Sequence, residues 1–287
     1  MTSARLRAAA SSPTSTRPAY LDPSLTLTDL STGVNFASAG AGLDDLTSES
    51  ARVLTIGRQV EMLEEYKGKL RGAMGDKKAE EIVNGAVVVV SIGSNDLMNN
   101  YYVSDVRRRE YSLEAYHGLM LQRMKYFVER IYKLGGRRIA IAGLPPLGCL
   151  PFVMTLAAFR WDAGHALGQR VCVDQKNAEA AAYNARLQDL INTMATSFKD
   201  AKIAYADTYT PMLLDMMKNP SKYGFTEANR GCCGTGTFEM GPTCMFPFPT
   251  CPDPSKFMFW DSVHPTTATY TFLANGLVKT ALLKITR

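Results

Sequence analysis

The chain has 287 residues, 46% of them hydrophobic and 21% charged, with a net charge of +5. That balance is ordinary for a globular protein, and the length can bury a substantial core as one α/β domain or two small ones. No apolar run approaches the roughly 18 residues of a membrane span. The densest basic run, Arg107-Arg108-Arg109, is followed at once by Glu110 and has no interleaved aromatics. It reads as a solvated helix approach and not as a nucleic-acid patch.

The first segment, MTSARLRAAASSPTSTRPAY, has arginines and small residues but no apolar stretch of the kind a secretory signal needs. It is acid-free and only faintly like a transit peptide, so residues 1–19 are expected to be a disordered tail ahead of a single domain, 20–287. Ile56, Val60, Leu63, Tyr66 and Leu70 recur at helical spacing. GAVVVVSIG then reads as a short strand buried on both faces, as in a parallel sheet. A loop follows, then a helix over 112–134 ended by Gly135-Gly136. RRIAIAGL is a second buried strand, broken by Pro145-Pro146. A long helix places Tyr183, Leu187, Leu190, Ile191, Met194 and Phe198 on one face, and AKIAYAD is a third strand. TPMLLDMMKNP predicts a short helix, and a last helix runs from about Pro265 with Tyr270, Phe272, Leu273, Leu277 and Leu282. Strands alternating with helices imply βαβ units, with ligands bound at the carboxyl ends of the strands.

None of the six cysteines, Cys149, Cys172, Cys232, Cys233, Cys244 and Cys251, falls in a C-x-x-C pair, which disfavours a zinc ribbon or a thioredoxin-type site. Four crowd into residues 232–251, a Gly- and Pro-rich stretch with little periodicity. Such a stretch buries little apolar surface, so the even count points to three disulfides and an oxidising compartment.

The chemistry concentrates in three loops. In FMFWDSVHPTT, a turn can bring Asp261 to the His264 imidazole, accept its Nδ1 proton and fix the tautomer. Pro265 suits the first position of the helix that follows. By itself D-x-x-H is a weak signal, equally a capped helix start. The other histidines, His117 in a helical pattern and His165 in a small-residue loop, read as structural or exposed. In SIGSNDL, Gly93 follows a strand, so Asn95 can offer a side-chain N–H to a developing oxyanion, and Asp96 can pin the loop by accepting backbone N–H groups. In GVNFASAGAGLDD, Gly33, Gly40 and Gly42 punctuate a small-residue loop where a backbone N–H could approach a ligand. Phosphate-loop and dinucleotide fingerprints are absent, and so is a G-x-S-x-G elbow.

Taken together and in order, AYLDPSLT, GVNFASAGAG, SIGSND, LPPLGCLP, YGF, RGCCGTG and CPDPSKFMFWDSVHPT resemble the plant-type GDSL esterase/lipases of the SGNH hydrolase family. The resemblance runs from about Tyr20 to the C-terminus. It implies a flavodoxin-like three-layer α/β/α fold with a parallel sheet, and ester hydrolysis by a Ser-His-Asp triad without metal or cofactor. By motif, Asp261 and His264 are the acid and base, and Asn95 and Gly40 (Gly42 less well) the oxyanion donors. The substrate is a small-molecule or polymer-linked ester; neither a nucleic-acid partner nor an integral membrane segment is implied. The family also implies secretion, a Cys149–Cys172 bridge, and pairing of Cys232 or Cys233 with Cys244 and Cys251. The departure is the family's first block. The chain contains no G-D-S, so the first strand and the nucleophile are expected to be missing, as in a truncated copy or incomplete gene model. Ser11, Ser12 and Ser15 lie in the tail; Ser38, Ser94 and Ser262 belong to motifs with other roles. The alternative function is a non-catalytic lipid- or carbohydrate-binding relative.

Overall fold

The computed structural model describes residues 17–159, 168–209 and 212–286. His165 and Ser11, Ser12 and Ser15 therefore lie outside the described residues. The three strand-like runs form β1 (Val87–Val90), β2 (Arg138–Ala142) and β3 (Lys202–Ala206), a parallel sheet in that order. Register aligns Val88 with Ile139 and Ile139 with Ile203. Side chains alternate between faces, and the sequence uses the two faces differently. Ile139, Ile141 and Ile203 share a core with Met120, Met124, Val128 and Ile131 of one helix (Leu113–Lys133) and Tyr183, Leu187, Ile191 and Met194 of another (Asp174–Ser197). Ala140, Ala142, Ala204 and Ala206 line the opposite face, where their small size lets Ala281 and Ile285 of the C-terminal helical segment approach closely. Helices on both sheet faces make the three-layer α/β/α arrangement that the alternating pattern implies.

The helix starts follow capping chemistry. Thr55 accepts from the Arg58 N–H ahead of the helix Ile56–Met74, and Ser112 from the Ala115 N–H ahead of Leu113–Lys133. The first of these helices buries Met62, Tyr66 and Leu70 against Tyr20 and Leu30, with Phe36 packed alongside. The Tyr66 hydroxyl donates to the Leu30 carbonyl at 2.6 Å, which ties the N-terminal segment to the body of the domain.

Three expectations are corrected. β1 is not buried on both faces. It lies at the sheet edge, and Val89, 65% exposed, is bare on the face where the C-terminal helix covers β2 and β3. The stretch after SIGSN is not a loop: Asp96–Val103 wind into a wide π-type helix and Val106–Glu110 into a short α-helix. Side-chain bonds from Asp96 and Asn100 to Thr47 fix that helix, a determinant that apolar periodicity does not register. Pro265 does not open the last helix. Its backbone pairs with Phe259, and Thr266 is the cap, accepting from the Thr269 N–H ahead of Thr267–Leu277.

The cysteine-rich segment is braced by a second, two-stranded parallel sheet, β4 (Glu227–Gly231) and β5 (Phe257–Phe259). All six cysteines are bridged: Cys149–Cys172, Cys232–Cys251 and Cys233–Cys244.

The open edge gives a direct expectation for stability. Val89→Lys changes the unfolding free energy by no more than about 0.5 kcal/mol, the range of an exposed site. Ile139→Ala, in the closed core, costs about 2–5 kcal/mol. Urea denaturation measures both, and a Val89→Lys cost comparable to that of Ile139→Ala contradicts the open edge.

Candidate active site

The turn after β5 is built around one carboxylate. The Trp260 N–H donates to the His264 carbonyl at 2.8 Å and closes the turn. Inside it, Asp261 Oδ1 accepts the Val263 and His264 backbone N–H groups at 2.8 and 2.6 Å, while Oδ2 lies 2.7 Å from His264 Nδ1. The carboxylate thus shapes the backbone and holds the ring. With the proton on Nδ1, Nε2 carries the lone pair. The Asp261 side chain is 16% exposed and that of His264 64% exposed, so the ring is open to an approaching group.

The electrostatics follow. Burial works to raise the Asp261 pKa, but hydrogen bonds from the His264 ring and from two backbone N–H groups outweigh it and hold the carboxyl below its usual range. The hydrogen bond to Asp261 raises the His264 pKa, partly opposed by burial. The rest of the turn is pinned from two sides. The Ser262 N–H donates to the Glu239 carbonyl, and the Phe152 N–H donates to the Ser262 carbonyl, both at 2.8 Å. Glu239 is itself buried against Arg170, with Nη1–Oε1 at 2.8 Å.

The loop after β1 meets the GAGLDD segment. Gly93 adopts φ +123°, a region L side chains rarely enter, with Leu144 packed beside it. Asp96 is fully buried and takes three donors: Leu43 N–H and Asp44 N–H at 2.9 Å, and the Thr47 hydroxyl at 2.6 Å. Desolvation still lifts its pKa to about 6 against those donors. Gly42 is required here by space, because a Cβ would lie 2.3 Å from Asp96 Oδ1; its N–H donates to Ser48 Oγ at 3.3 Å. Asn95 Nδ2 donates to the Ala41 carbonyl at 2.9 Å, which leaves its second amide proton to point elsewhere. Gly40 sits two residues before Gly42, near Ala51 and Val53, and its N–H has no acceptor among the described residues.

The structure therefore joins Asp261 to His264, and Asn95 and Asp96 to the glycine loop. Among the described residues no hydrogen bond links the two groups, and no serine hydroxyl bonds to His264. Ser38 Oγ accepts from the Leu54 N–H, and Ser262 Oγ is buried without a partner. His117 is buried edge-on to Tyr183, and desolvation lowers its pKa to about 4. Sequence reading missed Arg107. Arg108 and Arg109 are exposed as a solvated run should be, but Arg107 forks onto the buried Asp44 carboxylate, Nε–Oδ2 at 2.6 Å and Nη2–Oδ1 at 3.0 Å, with the Tyr116 hydroxyl donating to the same group. The available signal was the paired acid in GAGLDD, two residues beyond Gly42.

The family model for GDSL-like lipases/acylhydrolases matches residues 8–277. The chain belongs to this family. The GDSL esterase/lipase At2g31550 of Arabidopsis thaliana is 46% identical over 261 residues, 91% of this chain and 70% of the relative. The GDSL esterase/lipase At2g40250 of the same plant is 43% identical over 260 residues, 91% of this chain and 71% of the relative. The chain is thus a GDSL-family ester hydrolase by descent, and the three-layer fold is that of the family.

Two outcomes test the site's physics. In an NMR titration the His264 imidazole has a midpoint above the ordinary histidine value of 6.5, and Asp261→Asn lowers it; an unshifted midpoint contradicts the pairing. Asp96→Ala strands three buried donors and costs about 3 kcal/mol or more in urea denaturation, whereas a loss under about 1 kcal/mol shows that the clamp is unimportant.

Proposed function

We propose that Asp261 and His264 are the acid and base of the family's hydrolytic triad, with Asn95 and Gly40 as oxyanion donors and Gly93 and Asp96 as loop support. The observation that carries this is the 2.7 Å contact of Asp261 Oδ2 with His264 Nδ1 beside an accessible ring. His264 Nε2 takes the proton of a serine as it attacks an ester carbonyl, and the Asp261 carboxylate stabilises the imidazolium. His264 then returns that proton to the leaving alcohol, and the cycle repeats with water to free the acid. The oxyanion that forms each time is met by the second Asn95 amide proton and the Gly40 N–H. One such donor is typically worth on the order of 10²–10³ in kcat. Gly42 is the poorer candidate because its N–H is already committed to Ser48.

The nucleophile is not among the 287 residues, which contain no G-D-S. Without it, a triad loses on the order of 10⁶ in kcat. The three disulfides suit a secreted protein.

Fluorophosphonate labelling and p-nitrophenyl butyrate hydrolysis test the assignment. The 287-residue chain is expected to remain unlabelled and to show no His264-dependent turnover. Fusing the G-D-S block of an Arabidopsis relative ahead of it should create turnover that His264→Ala removes. Turnover by the unfused chain that His264→Ala abolishes would place the nucleophile inside it. A fused chain that binds esters without hydrolysing them would support a non-catalytic lipid- or carbohydrate-binding relative.

A further inference from the structure

Residues 240–252, MGPTCMFPFPTCP, contain no charged side chain. Within them Phe246 is 99% exposed and Met245 66% exposed, and Met240 and Phe248 are exposed as well. The segment cannot fold these groups away. The bridges Cys232–Cys251 and Cys233–Cys244 close it at its base. Local bonds set its turns: Phe248 N–H to the Met245 carbonyl at 2.9 Å, and the Thr243 hydroxyl to the Phe238 carbonyl at 2.8 Å. A cross-linked apolar projection held in water marks a candidate interaction site. It is also joined to the acid–base turn. The Cys233 N–H donates to the Trp260 carbonyl at 2.9 Å, and the Ser262 N–H to the Glu239 carbonyl at 2.8 Å. Trp260, itself exposed, stands next to Asp261.

We propose that the loop 240–252 is a lipid-docking wedge that seats the His264 side of the molecule on a lipid–water surface. Three features select lipid over a protein partner. The segment has no charge to desolvate on entering an acyl layer. It offers no ionic group of the kind that sets register in a protein interface. Its most exposed group is an aromatic ring, Phe246, suited to insertion among chains, and the loop is tied to a turn that carries a second exposed, amphipathic aromatic, Trp260. The choice of lipid rests on the ester-hydrolase reading of the site, because lipids are the esters that present themselves at a surface; the docking itself does not require turnover.

Co-sedimentation of the 287-residue chain with vesicles of ether-linked phosphatidylcholine tests this without any hydrolysable ester. Binding is expected, and it is expected to be equal at low and high salt, since it is apolar. Phe246→Ser should lower the partition coefficient about tenfold, in line with withdrawing one aromatic side chain from an apolar phase. Tyr126→Ser, at an exposed aromatic on the helix Leu113–Lys133, should leave it unchanged. Circular dichroism checks the fold of each variant, and Met245→Ser serves as a second wedge variant. Lack of sedimentation, loss of binding in high salt, or binding by both wedge variants as strong as that of the unmodified chain overturns the proposal. Conversion of a dimer to a monomer by Phe246→Ser on gel filtration, without vesicles, would assign the loop to a second copy of the chain instead. Failure here with His264-dependent turnover in the fused chain rejects the wedge alone; vesicle binding without that turnover rejects only the catalytic assignment.

Discussion

The Asp261 carboxylate is the constraint on which the candidate site depends. One oxygen holds two backbone N–H groups and so bends the chain between Trp260 and His264. The other holds the imidazole by Nδ1. A residue that only shaped the turn could be replaced by asparagine with modest effect. A residue that also fixes the ring's tautomer could not, because the base must keep its lone pair on Nε2. Glu239 and Arg170 reinforce the turn from the cysteine-rich side, and the buried ion pair between them would be costly to break by removing one partner.

The second half of the site follows the same logic. Asp96 is a buried acceptor whose three donors all come from the segment that starts at Gly42. It locks the loop after β1 onto the glycine loop, and Asn95 is carried into place by its neighbour. Asp44, one residue beyond Leu43, is in turn neutralised by Arg107. The polar network is satisfied in layers, so the glycine loop is positioned by charge and hydrogen bonds where apolar packing alone would leave it loose. The sheet below supplies the rigid base: isoleucines fill one face, and alanines on the other admit the C-terminal segment.

Much of this was legible in the residues. The valine run at 87–90, the short apolar runs at 138–142 and 202–206, the periodic helices and the D-x-x-H pair each follow from period, propensity or side-chain reach. What escaped was set by tertiary context. Four consecutive valines look the same in a central strand and at an edge, so the exposure of Val89 could not be read from them. The π-type turn at Asp96–Val103 is dictated by hydrogen bonds to Thr47, some 50 residues away. The pairing of Arg107 with the buried Asp44 depends on the same distant loop. The last helix begins after Thr266 and not at Pro265, whose backbone pairs with Phe259. Which of the adjacent Cys232 and Cys233 takes Cys251 and which takes Cys244 is set by the fold of the segment after β4 and is not readable from the sequence.

The central claim is that Asp261 dictates the protonation state of His264, and the tautomer is its most direct readout. Two-bond nitrogen–proton NMR on ¹⁵N-histidine-labelled protein, above the His264 midpoint, distinguishes a protonated from an unprotonated ring nitrogen without relying on exchangeable protons. The account predicts a protonated Nδ1 and a bare Nε2 at His264, reverting toward the Nε2-protonated form in Asp261→Ala. A protonated Nε2 in the unmodified chain would contradict it.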